Sequence, residues 1–411
     1  MNSSITIKGN STVFGTVKQL PSSKSISNRA LILNALTGNR STVSNLSSAR
    51  DTKLMQKLVN STDQTIDVMD AGTTMRFLTA YFALTNQKKT LTGTDRMKQR
   101  PIKLLVDALR LIGAEISYLG EEGFPPIQTL GFDTQKADFI EMPGNVSSQY
   151  ISALMMTAPI LPKGLIIQLK GETGSIPYIT MTASLMEEFG VQPVVDFQKN
   201  AISIKHGSYK PASVTIEADW SAASYWFAFV ALAEEAKIVL PNVSEKSLQG
   251  DRVVVEVMKK LGVNSDFNHG SLTLTKRNSE NNISWDFRDC PDLAQTVLPV
   301  CAAKGITGEF TGLESLRIKE TDRITALKNE LGKIGAQLEE PATGKWKLTP
   351  GKLTKLTSPI ETYHDHRMAM GFAPWAALTD ITILAPEVVN KSYPGFWEDV
   401  ASVGYKLSEE K

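Results

Sequence analysis

The chain has 411 residues, of which 42% are hydrophobic and 21% charged, and its 44 basic and 43 acidic side chains give a formal net charge of +1. This length suits two domains of ordinary globular composition, and the charge balance argues against a nucleic-acid-binding protein, which would carry a strongly basic domain. The two cysteines, Cys290 and Cys301, lack the spacing of a metal site or a disulfide framework, which is typical of a reducing compartment.

The N-terminal residues 1–6 contain no basic segment followed by an apolar one, so we expect no signal peptide. The stretch 4–17 has the pattern of a strand and is expected to pair with the later half of the chain. The most apolar run, 222–233, is shorter than the roughly 20 residues of a membrane-spanning helix. It predicts a buried core helix and no membrane partner.

Four times along the chain, an apolar segment of helical period is followed by a glycine and then by a strand-like alternation. The glycines are Gly113, Gly190, Gly262 and Gly335, which lie 77, 72 and 73 residues apart. Glycine is favoured where a helix ends with a positive φ. The even spacing predicts repeated α/β subdomains, although this pattern also occurs in α/β proteins without repeats.

Residues 21–29, PSSKSISNR, predict the start of a helix, where free backbone N–H groups favour an anion. Lys24 and Arg29 add positive charge there. Ser25 and Arg29 are four residues apart and therefore share a helix face. Taken alone, a serine-rich cap with two basic residues is usually a solvated helix start.

Further segments of the first half carry glycine, hydroxyl, amide or basic groups. Those at 70–76 and 145–150 open predicted helices, whereas 95–101 is a basic stretch that ends at Pro101. Gly72 permits close approach of a ligand to the backbone, but the sequence around it is not a Walker loop, so ATP is not the expected phosphate donor. The segments are 70–76, 95–101, 145–150 and 174–178.

Residues 317–323, RIKETDR, precede a predicted amphipathic helix. Lys319 and Arg323 are four residues apart, which predicts that both point into one pocket beside Glu320. The alternative is an exposed ladder of charges, which is the usual fate of such runs.

Two segments near the end of the chain carry histidine or lysine. His364 and His366 have the spacing of metal ligands on a strand, but Asp365 is expected to cap a following helix, which would turn the imidazoles apart. Without a third ligand nearby, we predict no metal site. Lys391 stands before a turn at 390–394 and is uninformative by itself.

Taken together and in this order, the segments resemble the 5-enolpyruvylshikimate-3-phosphate synthase family, the 3-phosphoshikimate 1-carboxyvinyltransferases. The most specific pieces are PSSKSISNRA at 21–30, DAGTTMR at 70–76, VSSQY at 146–150, RIKETDR at 317–323 and DHRMAM at 365–370. The resemblance implies an α/β (α+β) fold, a two-lobed inside-out α/β barrel with three βαβαββ units in each lobe. One domain would span 18–218, and the other would combine 1–17 with 219–411.

The implied reaction transfers the enolpyruvyl group of phosphoenolpyruvate to the 5-hydroxyl of shikimate 3-phosphate and releases phosphate. The resemblance implies no cofactor, a monomer and a cytoplasmic location. Catalysis is assigned to Asp292, Glu320 and Lys24. Binding of shikimate 3-phosphate is assigned to Lys24, Ser25, Arg29, Ser147, Ser148, Gln149, Ser175, Tyr178, Asp292 and Lys319. Binding of phosphoenolpyruvate is assigned to Lys24, Gly72, Arg100, Gln149, Arg323, Arg367 and Lys391.

Two alternatives to this function have to be weighed. The first is a UDP-N-acetylglucosamine 1-carboxyvinyltransferase, of the same fold and donor. That family places a reactive cysteine in the loop that corresponds to 94–100, where this chain has none. The second is a non-catalytic protein that binds phosphorylated ligands, in which carboxylates such as Asp292 and Glu320 would weaken the binding of anions.

Overall fold

The computed structural model describes residues 3–353 and 356–410. The chain forms two compact units. The first unit comprises Met1–Ser23, Ser48–Arg50 and Glu217–Lys411, and the second unit comprises Lys24–Ser47 and Asp51–Ile216. The second unit is therefore an insertion in the sequence of the first.

Helices and strands alternate along most of the chain, which confirms the predicted mixed α/β class. The α-helices are α1 (Lys24–Leu36), α2 (Arg50–Leu58), α3 (Gly72–Leu84), α4 (Asp95–Lys98), α5 (Lys103–Ile112), α6 (Ser148–Thr157), α7 (Ile176–Glu188), α8 (Trp220–Leu232), α9 (Val254–Lys260), α10 (Ala294–Lys304), α11 (Arg323–Gly332), α12 (His366–Phe372) and α13 (Phe396–Ser402). The strands are β1 (Ser4–Ile7), β2 (Thr12–Thr16), β3 (Thr42–Ser44), β4 (Thr65–Asp67), β5 (Lys89–Thr92), β6 (Ala114–Tyr118), β7 (Ile127–Phe132), β8 (Phe139–Pro143), β9 (Leu165–Lys170), β10 (Val194–Asp196), β11 (Ala201–Ile204), β12 (Ser213–Thr215), β13 (Glu235–Pro241), β14 (Val263–Asn268), β15 (Ser271–Lys276), β16 (Asn282–Asp286), β17 (Thr307–Thr311), β18 (Gln337–Ala342), β19 (Lys345–Thr349), β20 (Ile381–Leu384) and β21 (Leu407–Glu410).

Four sheets share one strand order, in which a parallel pair is extended by an antiparallel hairpin. The orders are β4-β5-β7-β6, β8-β9-β11-β10, β2-β13-β15-β14 and β16-β17-β19-β18. A helix joins each parallel pair and a second helix leads into the hairpin, which gives the succession βαβαββ. In the third of these sheets, β2 and α8 are separated in the sequence by the residues of the second unit.

The four evenly spaced glycines follow the second helix of these four sheets. Gly113, Gly190, Gly262 and Gly335 have φ values of 124°, 82°, 99° and 76°. A side chain would be strained in this conformation, and the glycine lets the chain leave the helix and enter the hairpin. The predicted helix, glycine and strand succession is thus present at each of these positions.

The remaining sheets are smaller. In the first unit, β1 lies between β20 and β21, and Ile360 bridges in parallel to Ile383. In the second unit, β3 pairs in parallel with β12. Because β1 and β2 pair with β20, β21 and β13, the predicted pairing of the first strands with the later half of the chain is confirmed.

Each unit has its own hydrophobic core. The apolar run at 222–233 lies in α8 and at its end, and every residue of α8 except Ser221 is buried, as predicted for a core helix. Among residues 3–353 and 356–410, no helix is both long enough and apolar enough to cross a membrane.

Candidate active site

In both units, predicted site residues lie where helices begin. Asp292 lies in the short turn Pro291–Leu293 that leads into α10, and Arg323 is the first residue of α11. In the second unit, Lys24 and Gly72 are the first residues of α1 and α3, and Ser148 is the first residue of α6. The backbone N–H groups at such positions have no partner within the helix, which favours anionic ligands.

In the first unit, the guanidinium of Arg323 binds three carboxylates. Its Nε lies 2.7 Å from Asp365 Oδ2, its Nη1 2.7 Å from Asp292 Oδ1 and its Nη2 2.9 Å from Glu320 Oε2. The side chain of Arg323 is 2% exposed and that of Asp365 is fully buried. Arg323 therefore fixes both predicted catalytic carboxylates, Asp292 and Glu320, relative to each other.

Arg367 holds the other side of the Asp292 carboxylate. Its Nη2 donates to Asp292 Oδ2 at 2.9 Å and to Ser221 Oγ at 3.2 Å, and its Nη1 donates to Tyr225 OH at 3.2 Å. The side chain of Asp292 is 18% exposed, and each of its two oxygens is bound by an arginine.

Lys319 and Arg323 do converge, but the spacing argument for their convergence is wrong. Lys319 Nζ lies 3.7 Å from Asp292 Oδ1, which Arg323 also contacts. Residues 319–322 precede α11 and are not helical, and the Asp322 side chain caps the helix by accepting from the backbone N–H groups of Ile324 and Thr325. The extended backbone at Lys319, not a helical turn, brings the two cations together.

The charges of this cluster shift the pKa values of its members. Burial alone raises the pKa of Asp292, but the cations Arg367, Lys319 and Arg323 outweigh it and hold this pKa well below its usual range. Burial alone lowers the pKa of Arg323, but its three carboxylate partners raise it above its usual range. Asp292 and Arg323 therefore remain ionised at neutral pH.

The histidine motif contributes the N-terminal cap of α12. Asp365 accepts a hydrogen bond from the backbone N–H of Arg367 at 2.9 Å and so caps α12, as predicted. His364 is exposed, whereas His366 is 1% exposed. Within residues 3–353 and 356–410, no group of three or more His, Cys, Asp or Glu side chains is placed to hold a metal ion.

In the second unit, Arg100 lies against the backbone at the start of α3. Its Nη1 is 3.5 Å from the carbonyl oxygen of Asp70, and a Cβ at Gly72 would lie only 2.6 Å from its Nη2. Gln149 Nε2 donates to Thr73 Oγ1 at 3.1 Å, which ties the start of α6 to the same turn. Gly72, Arg100 and Gln149 are thus brought together.

The other predicted residues of the second unit have varied surroundings. Lys24 Nζ lies 3.2 Å from Asp51 Oδ2, and Ser25 is half-buried. Ser147 is exposed and caps α6 by accepting from the backbone N–H of Gln149. Ser175, just before α7, has a φ of 55°. A serine in this left-handed conformation is strained, which is frequent at ligand sites.

Arg29 is buried among groups of its own unit. Its Nε donates to Thr182 Oγ1 at 2.7 Å, its Nη2 to Ser152 Oγ at 2.9 Å and its Nη1 to the carbonyl oxygen of Ser25 at 3.0 Å. The Phe77 and Tyr178 rings lie 5.3 and 5.9 Å from its Cζ. Burial lowers the pKa of Arg29 to about 10, and Arg29 fastens α1 to α6 and α7.

Lys391 ends the short turn Pro386–Lys391, which packs against α12, the helix that carries Arg367. Its side chain is buried, with the residue 2% exposed. A charged lysine at this burial is unusual, because desolvation of an ammonium is costly.

Sequence reasoning missed several polar partners of the predicted residues. Asp365 was identified as a cap but not as a ligand of Arg323, although its place in the DHRMAM segment was a signal. Nothing in the local sequence marked the others, because their partners are distant in the chain. They are Asp51, Ser152, Thr182, Ser221 and Tyr225.

Comparisons with known proteins give one consistent result. The family model of EPSP synthase (3-phosphoshikimate 1-carboxyvinyltransferase) matches residues 7–62 and 56–400. A 3-phosphoshikimate 1-carboxyvinyltransferase of Bacteroides fragilis is 46% identical over 397 residues, covering 95% of this chain and 96% of the relative. One of Escherichia coli is 36% identical over 431 residues, covering 97% and 99%. A solved EPSP synthase of Acinetobacter baumannii has the same fold, with a TM-score of 0.76, 21% identity and full coverage of both chains.

Proposed function

Because the chain belongs to the EPSP synthase family, we propose that it transfers the enolpyruvyl group of phosphoenolpyruvate to the 5-hydroxyl of shikimate 3-phosphate. The products are 5-enolpyruvylshikimate 3-phosphate and phosphate. The observation that carries this proposal is the pair of carboxylates, Asp292 and Glu320, held by one buried guanidinium, that of Arg323.

The reaction proceeds by addition and elimination, and it needs two proton carriers. Asp292 accepts the proton of the 5-hydroxyl as its oxygen bonds to C2 of phosphoenolpyruvate, while Glu320 delivers a proton to C3. The resulting tetrahedral adduct returns the C3 proton to Glu320 and expels phosphate. Lys24 shares in proton transfer or stabilises the developing negative charge. Fixed spacing of the two carboxylates by Arg323 suits this division of roles.

A low pKa makes Asp292 a weak base in the absence of substrate. The cations that lower it, Arg367 and Lys319 among them, are the groups proposed to bind substrate phosphate, carboxylate or hydroxyl. When an anionic substrate neutralises these cations, the pKa of Asp292 rises toward its usual value. Substrate binding thereby makes the base stronger at the moment when it is needed.

The binding assignments complete the proposal. Each substrate carries a phosphate and a carboxylate, so cations and helix starts supply the complementary groups. We assign phosphoenolpyruvate to Lys24, Gly72, Arg100, Gln149, Arg323, Arg367 and Lys391. We assign shikimate 3-phosphate to Lys24, Ser25, Arg29, Ser147, Ser148, Gln149, Ser175, Tyr178, Asp292 and Lys319.

An acceptor comparison tests the function. Purified protein is incubated with phosphoenolpyruvate alone, with shikimate 3-phosphate added, or with UDP-N-acetylglucosamine added, and phosphate release is followed. Release only with shikimate 3-phosphate is expected. Release with the nucleotide sugar would identify the sister activity, and binding without release would identify a binding protein.

We further propose that the protein is a cytoplasmic monomer. Its two cysteines are buried and reduced, as suits a reducing compartment, and the proposed substrates are small molecules. Light scattering coupled to size-exclusion chromatography would give the mass of one chain, 45.0 kDa. A mass of two chains at micromolar concentration would contradict the monomer.

A further inference from the structure

Asp251 is a buried carboxylate beside the Arg367 side chain. It lies in the short turn Gly250–Val253 before α9 and is 2% exposed. Its Oδ2 accepts a short hydrogen bond from Ser221 Oγ, whereas its buried Oδ1 accepts none from the residues that the structure describes. A buried carboxylate with so few partners is costly, so its retention at this place requires a reason.

Hydrogen bonds lead from Asp251 to the proposed base. Ser221 Oγ accepts from Arg367 Nη2 at 3.2 Å, and the same Nη2 donates to Asp292 Oδ2 at 2.9 Å. A hydroxyl has only one hydrogen. Because Ser221 donates that hydrogen to Asp251, its lone pairs remain available to the guanidinium of Arg367.

We propose that Asp251 is a positioning residue, which acts through Ser221 to hold Arg367 and, through Arg367, the carboxylate of Asp292. The proposal rests on the function proposed above for Arg367 and Asp292. Ser221 is the one residue of the core helix α8 that is not buried, which places its hydroxyl at the edge of the core. The carboxylate of Asp251 orients this hydroxyl from the buried side.

The ionisation of Asp251 then affects activity. Its surroundings combine burial and the negative charges of Asp292 and Asp219 with the opposing effects of Arg367 and the Ser221 hydroxyl. Together these raise the pKa of Asp251 to about 6. The thiol of Cys290 also lies near, since the charge of Asp251 contributes to its raised pKa.

The sign of the effect follows from the hydrogen that Ser221 donates. Above pH 6 the carboxylate of Asp251 is ionised and fixes the hydroxyl. Below pH 6 the carboxyl group of Asp251 carries a proton and can itself donate to Ser221 Oγ, which occupies a lone pair that otherwise accepts from Arg367. We therefore expect an acid limb in the activity profile that belongs to Asp251.

A purely structural role would have different consequences. If Asp251 only fastens the start of α9 to α8, its replacement lowers the melting temperature and leaves the pH profile of the folded enzyme unchanged. Kinetics as a function of pH therefore distinguish a role in positioning Arg367 from a purely structural role between α9 and α8. An amide at this position separates the two further, because it keeps the shape and the acceptor oxygen but does not ionise near pH 6.

The test measures kcat/KM for phosphoenolpyruvate between pH 5 and 9 in the wild type and in Asp251→Asn, Asp251→Ala and Ser221→Ala. We expect Asp251→Asn to stay within about threefold of the wild type at pH 8 and to lack the limb near pH 6. We expect each alanine variant to lose about tenfold or more, and the double variant to lose no more than either. Asp266→Asn, an exposed carboxylate on β14, is the control and should match the wild type.

An acid limb that persists unchanged in Asp251→Asn would overturn the proposal, as would alanine variants with wild-type kcat/KM. If an alanine variant does not fold, shown by thermal melting, the Asp251→Asn profile decides. An inactive wild type would refute the proposed function itself, whereas an active wild type with unaltered variants would refute only the role of Asp251.

Discussion

Replacing Gly72 with alanine tests whether the start of α3 and Arg100 form one binding surface. The new Cβ would lie 2.6 Å from Nη2, 2.7 Å from Nη1 and 2.8 Å from Cζ of Arg100. Ordinary van der Waals contact begins near 3.4 Å, so the guanidinium has to move by about 0.8 Å. The backbone itself accepts alanine, since Gly72 begins a helix.

The displaced guanidinium would bind the anion less well. A misplacement of about 1 Å can cost up to about 100-fold in an enzyme, so we expect KM for phosphoenolpyruvate to rise between about tenfold and 100-fold. The value of kcat should change much less, because the two carboxylates proposed to carry protons, Asp292 and Glu320, belong to the first unit. The melting temperature should not fall, because alanine is a better helix former than glycine.

Steady-state kinetics with phosphoenolpyruvate as the varied substrate measures the effect. Gly207→Ala is the matched control, because a Cβ there meets no atom within 4 Å. An unchanged KM in Gly72→Ala, with Gly207→Ala also unchanged, would refute the placement of Arg100 in the binding surface. A fall in kcat at constant KM would refute it as well.

Three further predictions concern the carboxylates around Arg323. Glu320→Gln keeps the shape of the side chain but cannot carry the C3 proton, so kcat should fall about 100-fold or more while substrate affinity by calorimetry stays near the wild type; wild-type turnover would contradict the role. Arg323→Met leaves three carboxylates without their shared partner, which should lower the free energy of unfolding by about 3–5 kcal/mol in urea titrations. An unchanged urea midpoint of unfolding would contradict the claim that Arg323 stabilises the fold. The pKa of Asp292 is lower in the folded chain than its unfolded value of about 3.9, so its ionised form stabilises the fold above about pH 4 and this contribution is lost on further acidification. Asp292→Asn should therefore melt at a lower temperature than the wild type at pH 7, and this difference in melting temperature should shrink below about pH 4. A difference that does not depend on pH would contradict the pairing of Asp292 with its cations.

Local features of the sequence predicted helix ends and a helix cap correctly. The glycines at 113, 190, 262 and 335 marked helix ends because only a residue without a Cβ takes their positive φ easily. Asp365 was predicted as a cap because a short acidic side chain before an apolar helix satisfies free N–H groups. Both inferences depend on interactions within a few residues, which a sequence displays directly.

Partners that are distant in the chain could not be predicted in this way. Asp292 and Arg323 are 31 residues apart, and Asp251 lies 30 residues from Ser221. The convergence of Lys319 and Arg323 was predicted for the wrong reason, because a spacing of four residues has its helical meaning only inside a helix. Isolated charges in the sequence therefore indicated candidate site residues, but which of them pair depended on how the helix starts of the first unit come together.

Transfer in deuterium oxide tests the central claim most directly. Protein, phosphoenolpyruvate and shikimate 3-phosphate are mixed in that solvent, and the acceptor product is examined by mass spectrometry and NMR. The account predicts 5-enolpyruvylshikimate 3-phosphate with deuterium on the terminal vinyl carbon, which was C3 of phosphoenolpyruvate. This carbon gains and loses a solvent-exchangeable proton through Glu320. No product, or a product without deuterium at that carbon, would contradict it.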